Sequence, residues 1–261
     1  MTFTGLLERF KEIRVSITER CNMNCFYCKR EGIPKISEEL KTEEWIFLLN
    51  TLKELIKPRK IKFSGGEPLL RKDIVEIIKN VKDKNVLISI STNGYLLDKF
   101  IDKLYSAGLD ELVASLDSLK KLNSLEMKYD NKLTKIYSKI AKEYSLTDFR
   151  LDMVVTKRNF DECENILEFC AENGINLRYL ELQTFNDKEL EKEWVDLKFV
   201  ENILIEKGAK FKKFNKTRFL KLYGYNGITI FLTYSICEKE LCGCCLLGKS
   251  HFRVLPNGNF Q

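Results

Sequence analysis

The sequence lacks a hydrophobic run long enough to cross a membrane. No apolar stretch among its 261 residues approaches the roughly 20 residues that a membrane-spanning helix needs. An export signal is also absent, because residues 1–14 carry acidic side chains and no continuous apolar segment before a small-residue cleavage site. No internal repeat or low-complexity linker stands out. We therefore expect a cytoplasmic protein with one principal domain.

Cysteine, in contrast, is plentiful and unevenly placed. Seven of the nine cysteines lie in two short segments, residues 21–28 and 237–245. Clustered cysteines suggest disulfides in a small secreted domain, but metal ligation explains them better in a chain without an export signal. The other two, Cys163 and Cys170, share one face of a predicted helix with Ile166 and Leu167, so we expect them to be buried.

The charge is mildly positive and concentrated. The formal net charge is +6, and residues 207–221 hold seven basic side chains and no acidic one. This segment is either a solvated surface or an electropositive wall for a phosphorylated substrate. It has no recognition helix or RNA-binding signature, so we expect no nucleic-acid partner.

Extended apolar runs alternate with helical patterns over the first 185 residues. The predicted strands are residues 13–18, 60–64, 86–91, 111–116, 150–156 and 177–183, and the predicted helices are 44–56, 72–82, 97–106 and 161–172. Six such units in a row indicate a mainly parallel sheet. We therefore predict an α/β fold: a partial (β/α)6 TIM-like barrel in residues 1–200, then a short cysteine-rich C-terminal extension in residues 201–261.

Polar motifs follow the predicted strands. Residues 21–28 come after the first strand, residues 65–68 after the second, residues 92–94 after the third, and residues 115–117 end the fourth. In parallel α/β folds, ligands gather at the carboxyl ends of the strands. The sequence therefore predicts one functional site at this end of the sheet.

Cys21, Cys25 and Cys28 have the spacing C-x3-C-x2-C on one loop. Three thiolates can each hold one iron of a 4Fe-4S cube and leave the fourth iron without a protein ligand. A zinc site is the alternative, although structural zinc is usually held by four ligands in paired C-x2-C units. Together with the sequence Gly-Gly-Glu-Pro at residues 65–68, the three cysteines resemble the radical S-adenosylmethionine (SAM) superfamily, whose barrel type the predicted fold matches.

The resemblance implies two cofactors. SAM would chelate the open iron through its amino and carboxylate groups, and an electron from the cluster would cleave it to a 5′-deoxyadenosyl radical. Glu67 can accept a hydrogen bond from the α-ammonium group of SAM, and Tyr27 is expected near adenine. The full set of expected SAM contacts is Tyr27, Gly65, Gly66, Glu67, Pro68, Thr92, Asn93 and Ser115. The last three could instead cap a helix or close a turn.

Further segments are similar to the GTP 3′,8-cyclases of molybdenum cofactor biosynthesis. These are residues 13–21, 65–71, 91–94, 115–118 and 178–181, and the hairpin centred on Gly258. In that family SAM and GTP lie between two 4Fe-4S clusters, and the radical abstracts hydrogen from C3′ of the ribose before ring closure to C8 of guanine. The resemblance implies a lyase-type enzyme that takes a small phosphorylated substrate and electrons from a donor such as flavodoxin or ferredoxin.

Basic side chains are the expected partners of the substrate phosphates, because arginine donates two parallel hydrogen bonds and lysine supplies a point charge. The candidates for substrate binding are Arg14, Lys60, Lys62, Arg71, Arg178 and Arg253. Any one of them is equally well explained as an exposed cation beside a strand. Their value as evidence is collective.

The second cysteine segment indicates another metal centre. Cys237, Cys242, Cys244 and Cys245 lie within nine residues. Either Cys237 or Cys244 completes a three-cysteine auxiliary Fe-S cluster, or the cluster is incomplete, and a zinc site built from all four is also open. Members of the resembled family continue past the hairpin with a further cysteine and a glycine-rich tail, which this sequence does not contain. The single histidine, His251, is expected near the substrate or on the surface rather than as a ligand.

Two other functions fit parts of the pattern. A radical SAM peptide maturase also combines this barrel with auxiliary clusters, but it is expected to carry a peptide-docking domain before the barrel, where only about a dozen residues precede the first predicted strand. A non-catalytic iron-sulfur or zinc protein would account for the cysteines and leave residues 65–68 without a role. The radical SAM enzyme explains both motifs.

Overall fold

The protein is described here by a computed structural model. It describes residues 11–28, 38–120, 131–184, 187–215, 219–235 and 251–260, the first two of the last range as backbone only. Among these residues, no helix is both long enough and apolar enough to span a membrane.

One sheet of ten strands organises the described chain, in the order β10-β1-β2-β3-β4-β5-β6-β9-β8-β7. The strands are β1 Glu12–Ser16, β2 Lys60–Ser64, β3 Leu87–Thr92, β4 Glu111–Ser115, β5 Asp148–Val155, β6 Asn176–Glu181, β7 Lys210–Asn215, β8 Leu220–Tyr225, β9 Ile228–Thr233 and β10 His251–Val254. In this order, every neighbouring pair from β10 through β1 and β6 to β9 is parallel. The last two pairs, β9 with β8 and β8 with β7, are antiparallel. Within the described residues β10 and β7 are the two edges, so the barrel is partial.

Helices connect the parallel strands. They are α1 Thr42–Ile56, α2 Ile74–Val81, α3 Leu97–Ser106, α4 Asn131–Glu143, α5 Cys163–Asn173, α6 Lys188–Glu193 and α7 Lys198–Glu206. Each longer helix turns an apolar stripe toward the sheet, as α2 does with Ile74, Ile77, Ile78 and Val81, all fully buried. This layering is the β/α pattern of a parallel sheet covered by helices.

The two faces of the parallel strands differ in chemistry. On β1 and β2, the side chains of Ile13, Val15, Ile61 and Phe63 are fully buried in the core that the sheet shares with the helices. Because neighbouring side chains on a strand point to opposite faces, residues 12, 14, 60 and 62 lie on the other face, which we call the inner face. The inner face carries most of the charge within the sheet, and it is where a ligand could bind.

The predicted α/β partial barrel is confirmed, and all six predicted strands are present with ends shifted by a few residues. The helix predicted at 161–172 begins with a 3-10 turn at Phe160–Glu162 and continues as α5. Cys163 and Cys170 are fully buried there, as expected. Burial raises the pKa of Cys163 to about 12, so this thiol stays protonated and inert.

The C-terminal part of the chain joins the same sheet at both ends. Strand β9 pairs with β6, and β10 pairs in parallel with β1, residue Arg253 opposite Arg14. A turn at Gly258 follows, in which the amide of Leu255 donates to the carbonyl of Asn259 at 2.8 Å. The predicted division at residue 200 falls within α7, and strands from both sides of it pair in one sheet. The division into two parts stays a prediction. The predicted cysteine-rich segment with Cys237, Cys242, Cys244 and Cys245 lies outside the described residues.

Candidate active site at the carboxyl end of the sheet

The loop after β1 carries the three spaced cysteines. Cys25 is buried, whereas Cys21 and Cys28 are exposed, and the amide of Cys28 donates to the carbonyl of Cys25 at 3.0 Å. Burial is the largest effect on the Cys21 thiol and raises its pKa, the hydrogen bond with the Met23 backbone opposes this rise, and the nearby Glu67 carboxylate and Cys28 add to it. A bound cation would offset this rise, because metal ligation stabilises the thiolate.

The three thiols on one loop match the donor set of a 4Fe-4S cube. Within the described residues, no three cysteine, histidine or acidic side chains are placed to hold one metal ion. A mononuclear zinc site requires such convergence on one atom. A 4Fe-4S cube does not, since each thiolate binds a different iron. Three cysteine thiols are the donor set of a cube with one iron that lacks a protein ligand, and the assignment of Cys21, Cys25 and Cys28 to such a cluster stays a prediction.

The glycine turn after β2 packs directly on the cysteine loop. The amide of Gly66 donates to the carbonyl of Thr18 at 2.8 Å, and the amide of Glu67 donates to the carbonyl of Arg20 at 2.8 Å. A Cβ atom on Gly65 would overlap the carbonyl oxygen of Thr18, and one on Gly66 would overlap that of Arg20. Gly65 also has φ of +133°, which side chains disfavour. Both glycines are thus required by backbone-to-backbone contact.

Glu67 is fully buried and joins three segments. Its Oε1 accepts hydrogen bonds from the Leu69 amide at 3.0 Å and the Thr92 hydroxyl at 2.7 Å, and its Oε2 accepts from the Asn93 amide at 2.7 Å. The carboxylate therefore ties the glycine turn to the end of β3. The predicted bond from Glu67 to the α-ammonium group of SAM stays a prediction, and it would have to share these oxygens.

The end of β3 reaches the cysteine loop as well. The Asn93 side-chain amide donates to Asn22 Oδ1 at 2.8 Å and lies 3.9 Å from the Cys21 sulfur. The Thr92 hydroxyl, which donates to Glu67, accepts from the Gly94 amide at 3.1 Å. Asn93 therefore lies beside Cys21, and Thr92 is tied to the glycine turn through Glu67. The predicted contacts of both residues with SAM stay predictions.

Tyr27 connects the cysteine loop to the end of β4. Its hydroxyl donates to Oδ2 of Asp117, a fully buried residue that follows β4. The second oxygen of Asp117 accepts from the Val154 amide at 3.2 Å. Burial first, and then the Asp117 carboxylate, raise the pKa of Tyr27 well above its usual value, so the phenol remains a proton donor. The predicted contact of Tyr27 with adenine stays a prediction.

A second contact holds the same loop from outside. The guanidinium of Arg158 lies over the ring of Phe26, 4.0 Å from its centroid, and its Nε donates to Glu193 at 2.9 Å. In such a cation–π contact, the positive guanidinium is attracted to the electron-rich face of the aromatic ring. The cysteine loop is thus attached to the ends of β2, β3, β4 and β5. Sequence reasoning missed Asp117 as an anchor and Arg158 entirely.

Basic residues gather on the inner face below these loops. Arg14 lies opposite Lys62 in the sheet, and Arg178 lies opposite Asp152. The pKa of Lys62 falls from 10.5 to about 8, chiefly through burial and then through Arg178, Arg14 and Arg150, while Asp152 acts in the opposite direction. We call Arg14, Lys62, Arg150 and Arg178 the inner-face cations.

Two members of this region come from β5 and were absent from the sequence-based candidates. Arg150 and Asp152 alternate with the buried Leu151 and Met153. Charged residues at alternate positions of a buried strand were the signal that could have revealed them, because such charges must share one face. Ser115, at the end of β4, lies opposite Asp152 on the same face.

The remaining predicted phosphate ligands have different surroundings. Lys60 donates to Glu111 at 2.7 Å. Arg71 is buried, donates to both oxygens of Asp73 at 3.0 and 2.6 Å, and bonds the Leu40 carbonyl at 2.9 Å. The described bonds of Arg71 thus tie residues 38–40 to the start of α2 rather than place it among the inner-face cations. Arg253 joins the cations only by its register opposite Arg14.

Comparison with known proteins identifies this constellation. Residues 15–191 match the model of the radical SAM superfamily. The chain belongs to the radical SAM superfamily. That membership implies an enzyme with a 4Fe-4S cluster and SAM. The assignment of Cys21, Cys25 and Cys28 to that cluster stays a prediction.

Two curated relatives refine the position within the superfamily. The chain is 33% identical to the probable GTP 3′,8-cyclase of Methanocaldococcus jannaschii over 90% of this chain and 80% of the relative. It is 35% identical to the probable GTP 3′,8-cyclase of Methanococcus aeolicus, with the same coverage. At this identity and coverage, the chain shares a family with these proteins.

The fold also resembles a solved structure. The crystal structure of Streptococcus suis SuiB bound to its precursor peptide SuiA superposes with a TM-score of 0.70 and 16% identity, covering 96% of this chain and 58% of SuiB. The present chain thus spans less than two thirds of SuiB. At this identity the likeness shows the shared fold alone.

Proposed function

We propose that this chain is a radical SAM enzyme that abstracts hydrogen from a phosphorylated nucleoside in a GTP 3′,8-cyclase-like reaction. The observation that carries the proposal is the group of inner-face cations on the strands whose carboxyl ends hold the cysteine loop. A triphosphate needs several positive donors, and arginine forks suit it. The names of the two methanogen relatives support GTP as the substrate.

Cys21, Cys25 and Cys28 would hold the 4Fe-4S cluster in this proposal. When bound, the cluster supplies one electron to SAM, which is cleaved to methionine and a 5′-deoxyadenosyl radical. The role of the surrounding residues is positional. Glu67, Thr92 and Asn93 hold the glycine turn and the end of β3 against the cysteine loop. The cysteine ligands of the cluster would thereby stay in place before SAM binds.

The inner-face cations would hold the substrate by its phosphates. Arg14, Lys62 and Arg178 lie on strands β1, β2 and β6, on one face of one sheet. Because these strands are rigid, they fix the nucleotide relative to the radical better than exposed loops would. Fixing the ribose beside the reactive carbon of the radical is what makes one hydrogen position react in preference to the others.

The same proposal includes parts of the chain outside the described residues. Cys237, Cys242, Cys244 and Cys245 would hold the second metal centre, as an Fe-S cluster or as zinc. A low-potential electron donor such as flavodoxin or ferredoxin would reduce the SAM-binding cluster. Metal analysis of a variant with all four of these cysteines changed to alanine would show whether iron or zinc is lost.

The test is an anaerobic assay of the reconstituted protein with SAM, dithionite and each nucleoside triphosphate in turn. We expect GTP to stimulate formation of 5′-deoxyadenosine and to give an isomeric product of the same mass. Cys25→Ala should abolish 5′-deoxyadenosine, whereas Cys170→Ala, which removes a buried thiol from α5, should not. SAM cleavage that ignores every nucleotide would overturn the GTP assignment and keep the enzyme class.

Two other outcomes would indicate other functions. Stimulation by a peptide rather than a nucleotide would favour a peptide maturase, the class of protein suggested by the peptide bound to SuiB. Complete absence of SAM binding and cleavage in the iron-loaded protein would favour a non-catalytic metal protein. Iron quantification before each assay separates that outcome from failed reconstitution.

A further inference from the structure

An acidic side chain lies in the middle of the inner-face cations. The carboxylate of Asp152 receives two hydrogen bonds from one guanidinium: Arg178 Nε donates to Oδ1 at 2.9 Å, and Arg178 Nη2 donates to Oδ2. Asp152 is 9% exposed. The fork of Arg178, which would suit a phosphate, is therefore filled by a carboxylate of the protein itself.

Arg150, in contrast, has one N–H donor that makes no hydrogen bond within the described residues. Its Nη1 donates to Asp148 at 3.0 Å, and its guanidinium lies 5.0 Å from the ring centroid of Phe231. Its Nε is buried and has no hydrogen-bond acceptor among the described residues; the nearest acidic oxygen, Asp152 Oδ1, is 3.5 Å away. A buried donor without an acceptor is costly, and an arriving anion would satisfy it.

The charges around this point do not balance. Four cations, Arg14, Lys62, Arg150 and Arg178, lie on the inner face, and Asp152 is the acidic group that counters them at Lys62. Two further carboxylates face them: Glu12 pairs with Arg14 and Asp148 pairs with Arg150, each at 3.0 Å. Burial by itself would raise the pKa of Asp152, but the positive charges of Arg178, Arg150 and Lys62 outweigh that effect. The pKa of Asp152 is therefore lower than usual, and the carboxylate stays ionised. Four cations against the three carboxylates of Glu12, Asp148 and Asp152 leave one positive charge while Lys62 is protonated, and two without Asp152.

We propose that Asp152 is an internal counter-anion: it occupies the phosphate position at Arg178 while the substrate is absent and yields that position to a phosphate oxygen of the substrate. Carboxylate and phosphate oxygens present the same planar acceptor pair to a guanidinium, so one can replace the other. Asp152 thereby weakens the binding of every anion and restricts occupancy to multiply charged ones. The inference rests on the proposed phosphorylated substrate.

The test is the affinity of the reconstituted protein for inorganic tripolyphosphate, measured by isothermal titration calorimetry without SAM. Asp152→Asn keeps the shape and one acceptor but removes the charge, so we expect tripolyphosphate to bind about tenfold more tightly. Asp152→Glu retains the charge and should bind as the wild type does. Asp83→Asn, which removes a carboxylate paired with Lys53 on the surface, is the control for net charge.

Equal or weaker binding by Asp152→Asn would overturn the inference, because a purely structural carboxylate would leave Arg178 misplaced once removed. If Asp152→Asn does not fold, Asp152→Ser carries the same expectation, and thermal unfolding identifies the folded variants. The assay also separates two failures. Tripolyphosphate that binds neither the wild type nor Asp152→Asn contradicts the phosphorylated substrate itself, whereas binding without a difference contradicts only the role of Asp152.

Discussion

Glu67 illustrates how a single residue can serve a site through its neighbours. In the described structure its carboxylate accepts from the Leu69 amide, the Thr92 hydroxyl and the Asn93 amide. Two of the three donors are backbone amides with fixed directions, one facing each carboxylate oxygen, and the carboxylate is fully buried. Its measurable role before any ligand binds is therefore to hold the glycine turn against β3.

Glu67→Gln should destabilise the fold. The variant places an NH₂ group where a donor already points, which leaves a buried hydrogen bond unmade at a cost of about 1–3 kcal/mol. Urea unfolding of wild type and variant measures the difference. Glu54→Gln, on the exposed side of α1, is the control and should change the free energy of unfolding by less than about 0.5 kcal/mol. A Glu67→Gln effect as small as the control would show that the buried network is not required.

Lys62 gives the site a dependence on pH. Its pKa falls from 10.5 to about 8, first through burial and then through the surrounding arginines. Because the folded-state pKa is the lower one, protonation of Lys62 opposes folding most at pH 8 and below. The opposition fades as pH rises from 8 to 10.5, where Lys62 is neutral in the folded chain.

For phosphate binding the sign is reversed. Lys62 attracts an anion only while it is protonated, so wild-type affinity for tripolyphosphate should fall as pH rises from 7 to 10. Lys62→Gln should bind more weakly at pH 7 and change less with pH. Calorimetric titrations of wild type and Lys62→Gln with tripolyphosphate at several pH values give the ratio of their dissociation constants. Protonation of the tripolyphosphate itself affects both proteins equally, so it cancels in this ratio. A ratio that stays constant with pH would contradict a titrating Lys62.

At the scale of elements, the cysteine loop is held by contacts with several strand ends. The glycine turn bonds its backbone, Asn93 bonds Asn22, and Tyr27 bonds Asp117. The last contact crosses from the loop after β1 to the end of β4. Three cysteines on an otherwise irregular loop are thus placed by the sheet, which is the rigid part of the molecule.

Tyr27→Phe should loosen this loop. Loss of the hydroxyl removes its hydrogen bond to Asp117, and with it this contact between the loop and the end of β4. We expect the reconstituted variant to lose iron faster than wild type during anaerobic gel filtration, with a matching decline in cluster absorbance. Tyr105→Phe, at a position 40% exposed on α3, is the control. Equal iron retention in Tyr27→Phe and wild type would assign the hydroxyl no part in holding the loop.

At the scale of the whole molecule, the sheet has an edge that needs protection. The side chains of β7 are exposed, including Phe211 at 57% and Phe214 at 40%. Exposed edge strands pair with other chains unless charges or bulges prevent it. Lysines 210, 212 and 213 and a register shift between Phe211 and Lys213 are present on this strand. This surface is far along the sheet from β1, which favours the solvated interpretation of the basic segment.

Replacing Lys210 and Lys213 with threonine should promote self-association. The double variant keeps the exposed phenylalanines but removes two charges and adds residues that favour strands. Light scattering over a range of concentrations should show larger species than in wild type. Lys99→Thr with Lys142→Thr removes the same charge from exposed helix positions and should leave the mass unchanged. Identical masses for both double variants would mean that the bulge alone protects the edge.

Local patterns in the sequence were sufficient for the first six strands and for the grouping of the motifs. Alternating or continuous apolar runs indicate strands because burial has a period set by the backbone itself. The carboxyl ends of parallel strands then meet at one edge, which brings residues 21–28, 65–68 and 92–94 together without knowledge of the register. The family resemblance added the chemistry of the cofactors.

Long-range pairing decided the rest. Pairing of β10 with β1 joins residues about 240 apart in the chain, and no local pattern specifies such a partner. The register of β5 against β6 is what brings Asp152 to Arg178, and it makes Arg150 and Asp152 part of the inner face. Contacts between distant residues also bring Arg71 to the Leu40 carbonyl and fill the oxygens of Glu67 with hydrogen bonds from Thr92 and Asn93. Residue type and spacing determine which chemistry the chain can perform, whereas register and packing decide which groups are available for it, because a hydrogen-bonding group already paired inside the protein has less to offer a ligand.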